Sequence, residues 1–127
     1  MPVIASYAAL LAMVFVLLSV RTIRLRRRHR TALGDGGHGM LQKAMRAHAN
    51  FAEYVPLALL LIWFVERGGR TPFMVHVLGI TLIAGRLLHA WGISQAQENF
   101  RFRVAGMVLT FATLLTAAVI ILLHRLI

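Results

Sequence analysis

A group of polar side chains lies within an otherwise apolar segment, between residues 46 and 56. Asn50, Glu53 and Tyr54 follow Arg46 by four, seven and eight positions, so on a helix they share one face. The group combines a guanidinium, an amide, a carboxylate and a phenol, which together suit a small zwitterionic ligand. An ionisable side chain at the centre of a membrane helix costs roughly 2.5 to 3.5 kcal/mol. We therefore predict that this stripe faces inward and that Glu53 has a cationic partner.

A purely structural role for the same residues is the alternative. Glu53 could pair with Arg46 or Arg86 and fix the packing of two helices without any ligand. Arg86 and His89 lie three residues apart in a later apolar segment, so they can share a helix face. The variety of polar groups on one stripe favours a ligand over a single structural pair.

The elements that must position these residues are membrane helices. The chain of 127 residues is 59% hydrophobic and only 14% charged, with a mean hydropathy of +0.74, far more apolar than an ordinary soluble domain. Four apolar stretches approach the roughly 20 residues that a helix needs to cross the hydrocarbon layer. We predict an all-α membrane protein, a four-transmembrane-helix bundle in one domain over residues 1–127, with helices at about 3–21, 38–66, 72–94 and 101–124.

The charge distribution predicts the orientation of this bundle. Fourteen Lys and Arg oppose four Asp and Glu, a net charge of +10, and six of the fourteen fall between Arg21 and Arg30. Basic residues directly after an apolar span are typical of cytoplasmic loops and of contact with membrane lipids. The first and third loops are therefore predicted to be cytoplasmic and both termini outside. A nucleic-acid partner is not predicted, because no aromatic residues interleave with the arginines.

Several kinds of chemistry have no support in the sequence. The chain has no cysteine, which excludes a disulfide or a cysteine nucleophile from its own residues, so any thiol must come from a ligand. His29, His38, His76 and His124 lack the spacing of a zinc site, and no metal is predicted. No Ser-His-Asp set, phosphate loop or dinucleotide fingerprint is visible.

The polar segment, written Arg-Ala-x-x-Asn-x-x-Glu-Tyr-x-Pro from Arg46 to Pro56, resembles the MAPEG family, the membrane-associated proteins of eicosanoid and glutathione metabolism. The run Arg24 to Arg28 and the glycine turn at 34–37 extend the resemblance over nearly the whole chain, especially to small bacterial members. The resemblance implies a homotrimer of four-helix subunits in the bacterial inner membrane. It also implies that glutathione binds between neighbouring subunits near the cytoplasmic surface.

The same resemblance implies the roles of individual residues. Glutathione would be the co-substrate of a glutathione S-transferase, and a hydrophobic electrophile would be the second substrate, with peroxidase activity as a further possibility. The catalytic arginine that activates the thiol corresponds to Arg101 or Arg103 at the start of the fourth helix. The implied glutathione contacts come from the first three helices and are Arg24, Arg46, His48, Asn50, Glu53, Tyr54, Arg86 and His89.

Two other classes of function stay open. Ile93 follows His89 by four residues, where well-studied members of the family have a tyrosine, and this favours a non-catalytic protein that binds a lipid or a partner protein. A proton-coupled efflux subunit is the other class, since small four-helix exporters also carry a membrane-embedded glutamate. In those exporters the carboxylate usually stands alone in helix one, whereas Glu53 is predicted in helix two beside Arg46 and Asn50.

Overall fold

Four α-helices form the part of the chain that the structure describes. The structure, a computed structural model, describes residues 1–126 and the side chains of residues 1–124. The helices are α1 (Val3–His29), α2 (Gly39–Arg67), α3 (Pro72–Ser94) and α4 (Phe100–Leu126). All four are long and apolar enough to cross a membrane. The prediction of an all-α protein with four membrane-spanning helices is confirmed.

The arrangement of the helices leaves one face of α2 open. Short connections bring the C-terminal ends of α1 and α3 to the same end of the bundle as the N-terminal ends of α2 and α4. The helices α2 and α3 form the centre, and both α1 and α4 pack against them. Over residues 1–126, α1 and α4 do not pack against each other. The surface of α2 that lies between α1 and α4 therefore has no covering from the same chain.

The first helix is longer than the sequence predicted. It ends at His29 rather than near residue 21, so the predicted long basic loop is a short turn, and the run Arg24 to Arg28 is helical. Arginine is a good helix former, and positive charge near a helix C-terminus interacts favourably with the helix dipole. Arg30 then adopts a left-handed conformation with a φ of 51°, and its N–H points back to the carbonyls of Arg26 and Arg27.

The turn between α1 and α2 is held by side chains of its own neighbourhood. The guanidinium of Arg26 donates hydrogen bonds to the carbonyl oxygens of Ala32 and Gly34, at 3.1 and 2.9 Å. A carboxylate oxygen of Asp35 accepts a hydrogen bond of 2.9 Å from the N–H of Gly37. Gly34 and Gly37 have positive φ angles, which glycine adopts without steric cost. The sequence-predicted turn at 34–37 is therefore a compact, internally bonded loop.

At the opposite end of the bundle, the carboxylate of Glu66 fixes the start of α1. It accepts hydrogen bonds from the N–H groups of Val3 and Ile4, at 2.5 and 3.1 Å. The first N–H groups of a helix have no partner within the helix, so Glu66 serves as a cap supplied from another element. This contact ties the end of α2 to the beginning of the chain and engages the negative charge of Glu66.

The third and fourth helices approach each other closely because glycines line their contact. A Cβ added at Gly106 would lie 2.5 Å from the carbonyl oxygen of Gly85 and from the backbone nitrogen of His89. Small residues allow this approach, which is common where helices pack inside membranes. The α1–α2 side of the core instead contains large apolar side chains such as Leu11, Phe51 and Ile62. The α3–α4 contact thus fixes the positions of the polar residues on α3.

Candidate functional site

The stripe predicted on α2 divides between two surfaces. Arg46 and Glu53 are exposed, whereas Asn50 and Tyr54 are half-buried. Within residues 1–124, neither Arg46 nor Glu53 forms an ion pair or a side-chain hydrogen bond. The prediction that the whole stripe faces inward was therefore wrong for these two residues. They lie on the open face of α2, because α1 and α4 flank that face without meeting over it.

Arg86 is the most deeply buried cation of the described residues, and its side-chain partner is Asn50. Its side chain is 1% exposed and donates a hydrogen bond of 2.6 Å to the amide oxygen of Asn50. It also donates to the carbonyl oxygen of Gly106 at 3.4 Å and lies 5.8 Å from the centre of the Tyr54 ring. The alternative in which Arg86 pairs with Glu53 is not what the structure shows, because Glu53 is exposed and forms no ion pair with Arg86.

One buried polar atom of Arg86 has no hydrogen-bond partner among the described residues. Among the described side chains, Nε of Arg86 is the buried polar atom without a hydrogen-bond partner. A buried charge held by an amide, a carbonyl and an aromatic face is only partly compensated. The cluster of Arg86, Asn50 and Tyr54 therefore forms a positively charged layer beneath the open face that carries Glu53.

The contact between Asn50 and Arg86 can be tested by mutation. We expect Asn50→Ala to lower stability by about 1 to 3 kcal/mol, because it removes a partner of a buried charged donor. Thermal unfolding of the purified protein in detergent measures the effect. Gln42→Ala is the matched control, since Gln42 is an exposed polar residue on the same helix and should be neutral. Equal melting temperatures for the two variants would contradict a supporting role for Asn50.

The two predicted histidines have different surroundings. His89 is 3% exposed and its backbone lies against Gly106, so it is enclosed between α3 and α4. His48 bonds through Nε2 to the hydroxyl of Ser19 at 3.0 Å and stacks on Phe15 with ring centres 4.7 Å apart. His48 is thus directed between α1 and α2. It does not join Arg46 and Glu53 within this chain.

The remaining predicted arginines lie at the same end of the bundle. Arg24 near the end of α1 and Arg101 at the start of α4 are exposed, and neither has an ion pair within residues 1–124. Arg103 forms an ion pair with Glu98 at 2.7 Å, and its backbone nitrogen packs against Gly92. The structure therefore brings Arg24, Arg46 and Arg101 to one end as exposed cations and engages Arg103 in the α3–α4 connection.

Two basic residues at this end have contacts that the sequence analysis missed. Arg21 donates hydrogen bonds to the hydroxyl and the carbonyl oxygen of Ser94. Lys43 donates from Nζ to the carbonyl oxygens of Gln95 and Ala96, at 3.0 and 2.9 Å. Arg21 bonds to the last residue of α3, where helix carbonyls have no partner within the helix, and Lys43 bonds to the first two residues after it. Sequence reasoning missed these contacts because the positive-inside rule already accounts for basic residues at this end.

The fold and the site together define a multi-pass membrane protein with a polar site at the basic end of its bundle. A family model described as the MAPEG family matches residues 4–123, and the chain belongs to that family.

The chain is also similar to a protein of known name. The inner membrane protein YecN of Escherichia coli strain K12 is 44% identical over 111 residues, which cover 87% of this chain and 83% of the relative. The protein of the same name from Escherichia coli O6:H1 strain CFT073 is similar to the same extent. With the four apolar helices, these relatives support a multi-pass inner membrane protein.

Proposed function

We propose that the protein is a glutathione-dependent membrane transferase that works as a homotrimer. One observation carries the proposal: Arg46 and Glu53 are exposed on a face of α2 and have no ion-pair partner within residues 1–124. A charged side chain on a membrane helix is costly when it faces lipid, so this carboxylate and this guanidinium each need a partner of opposite charge. A zwitterionic ligand between two subunits would provide them.

The dimensions and charges of glutathione fit this pair. A tripeptide extends to about 10 Å, and residues seven apart on an α-helix differ in height by about 10.5 Å. Glu53 would receive the ammonium group, and Arg46 and Arg24 would hold the two carboxylates through charge-assisted hydrogen bonds. Asn50, Tyr54, Arg86 and His89 would form the floor on the α3 side. His48 would contribute indirectly, because its bond to Ser19 holds α2 against α1.

A neighbouring subunit would complete the site. Glu53 is fourteen residues from each end of α2, and a charged side chain at such a depth is costly when it faces lipid. The open face between α1 and α4 is the surface that a second copy can cover. Arg24 on α1 and Arg101 on α4 stand on opposite sides of this face, so each could serve a site shared with an adjacent subunit. This geometry supports the homotrimer that the family resemblance implies.

The reactive form of glutathione is its thiolate. A free thiol has a pKa of about 8.5, and lowering it by about two units requires roughly 2.7 kcal/mol of preference for the anion. One charge-assisted hydrogen bond supplies about 1.5 to 3 kcal/mol. We assign this role to Arg101, because Arg103 already pairs with Glu98. The thiolate sulfur would bond to an electrophilic carbon of a lipid-soluble substrate and displace its leaving group, and the same thiolate could reduce a peroxide.

The assignment of Arg101 predicts a change in the pH profile. We expect Arg101→Ala to lower the rate of conjugation at pH 7 by about 10- to 30-fold, because a thiol with a pKa of about 8.5 is only about 3% thiolate at this pH. Because Arg101 would lower the pKa of the bound thiol, the variant needs a higher pH to form thiolate, and its rate should rise toward the unperturbed pKa of about 8.5. Initial rates with glutathione and a chloronitrobenzene acceptor, measured across pH in detergent, test this.

Arg103→Ala is the matched control, since it removes an arginine two positions away that pairs with Glu98. It should keep the pH midpoint of the wild-type protein. If Arg101→Ala retains full activity while Arg103→Ala shifts the profile, the two roles are reversed. If neither changes the rate, arginine activation of the thiol at this end is refuted.

Saturable binding is the direct test of the proposed function. Equilibrium dialysis of radiolabelled glutathione against the purified protein should give a saturable isotherm, and conjugation should follow with the acceptor. Absence of binding would overturn the proposal.

A second candidate is a glutathione-binding member without catalysis. It is favoured by Ile93, which is 4% exposed and belongs to the apolar core, so that no hydroxyl is available at this position. Saturable binding without turnover on any electrophile or peroxide would support this candidate over the transferase.

A further inference from the structure

A cavity lies at the opposite end of the bundle from Arg24, Arg46 and Arg101. It has a volume of about 530 Å³, is open on one side, and is bordered by the end of α2, the turn that follows it and the last turns of α4. Its walls are apolar on the membrane side and basic at the mouth. The lining residues are Phe64, Val65, Arg67, Gly68, Arg70, Ile120, Ile121 and His124.

Among the side chains of residues 1–124, no carboxylate pairs with the arginines of this cavity. Arg67 and Arg70 are exposed, and within residues 1–124 neither forms an ion pair. The adjacent carboxylate, Glu66, is bonded to the N–H groups of Val3 and Ile4. The cavity therefore combines two available guanidinium groups with an apolar wall, which is the chemistry of an amphiphile with an anionic head.

The position of the cavity along the membrane normal fits such an amphiphile. Phe64 lines the cavity, and the exposed Trp63 and Phe73 lie at the same end of the bundle; aromatic side chains are enriched where the headgroups meet the hydrocarbon. This end of the bundle is also poor in basic residues, as the positive-inside rule predicts for an outer surface. The positive-inside rule therefore does not explain why Arg67 and Arg70 both line this cavity.

We propose that this cavity binds an anionic phospholipid of the membrane leaflet at this end. Arg67 and Arg70 hold the phosphate through charge-assisted hydrogen bonds, and the ring nitrogens of His124 are within the same mouth. One acyl chain lies along Phe64, Ile120 and Ile121. The site is separate from the one that carries Glu53, and the proposal does not depend on glutathione.

The two tryptophans of the chain allow each end of the bundle to be observed separately. Trp63 lies beside Phe64 of the cavity wall with ring centres 5.1 Å apart, whereas Trp91 is near the end of α3 at the basic end. The variant Trp91→Phe therefore reports from the cavity alone. The protein is placed in phosphatidylcholine vesicles that contain a minor fraction of brominated phosphatidylglycerol, and then in vesicles in which the phosphatidylcholine carries the bromine.

We expect brominated phosphatidylglycerol to quench Trp63 more than its share of the lipid predicts. Each basic side chain contributes about a fivefold preference for an anionic lipid, and Arg67→Gln with Arg70→Gln should reduce the preference to about one. The charge-matched control, Arg27→Gln with Arg28→Gln at the other end, should leave it unchanged. In the Trp63→Phe protein, the cavity substitutions should not alter the quenching of Trp91.

Three results would overturn the proposal. Quenching of Trp63 by each brominated lipid in proportion to its share of the vesicle would show that no anionic lipid is selected. Weak quenching by both lipids would mean that another copy of the chain covers the cavity. Loss of the preference on adding glycerol phosphate or inorganic phosphate to the buffer would identify a free phosphate as the ligand. Glutathione binding, measured on the same variants, should be unaffected in every case.

Discussion

Replacing Glu53 with glutamine is expected to abolish most of the affinity for glutathione without harming the fold. The proposed pair between Glu53 and the ammonium group would be buried between subunits, and removing one partner of a buried ion pair typically costs 3 to 5 kcal/mol. This corresponds to a loss of affinity of roughly a hundredfold to several thousandfold. Equilibrium dialysis of glutathione against Glu53→Gln measures the loss directly.

The stability of the ligand-free variant separates ligand binding from a role in assembly. Within residues 1–124 Glu53 has no ion-pair partner, so Glu53→Gln should unfold at an equal or higher temperature when glutathione is absent. If Glu53 instead joins two subunits, the variant should unfold at a lower temperature and dissociate on size-exclusion chromatography, which would contradict the proposal.

The matched control for Glu53→Gln is Asp35→Asn, which removes a negative charge from the turn between α1 and α2, at the basic end of the bundle. Asn can still accept the hydrogen bond from the N–H of Gly37 that Asp35 accepts. Glutathione affinity should therefore be unchanged in Asp35→Asn. An equal loss in both variants would mean that glutathione responds to the overall charge of this end and not to Glu53.

Replacing Gly106 with alanine is expected to produce the largest loss of stability. The added Cβ would lie 2.5 Å from both the carbonyl oxygen of Gly85 and the backbone nitrogen of His89, and these are backbone atoms that cannot rotate away. Overpacking of this kind costs typically 1 to 3 kcal/mol and sometimes more. Because His89 and Arg86 are positioned by the same contact, we expect both the melting temperature and glutathione binding to fall.

The control for Gly106→Ala is Gly39→Ala at the start of α2. A Cβ at Gly39 would meet nothing within 4 Å, and alanine is the better helix former. We therefore expect Gly39→Ala to unfold at the wild-type temperature or slightly above it. A Gly106→Ala protein as stable as this control would show that α3 and α4 are farther apart than described.

The sequence alone predicted the four helices, because each depends on a run of apolar residues whose length matches the hydrocarbon layer. It also predicted the polar segment of α2, because the spacing of Arg46, Asn50, Glu53 and Tyr54 is a property of one helix. The starts of α2 and α3 and the end of α3 fall within one residue of the prediction. The predicted end of α1, near residue 21, falls short of the observed end at His29. A run of arginines is compatible with both a basic loop and a helix that continues beyond the membrane.

The direction in which each polar side chain points was decided only by the tertiary structure. Spacing along a helix shows which residues share a face, but the neighbouring helices determine whether that face is covered. Glu53 is exposed because α1 and α4 do not meet over α2, and Arg86 bonds to Asn50 because α3 packs against α2. Such contacts depend on residues far apart in the chain, and helical periodicity carries no information about them.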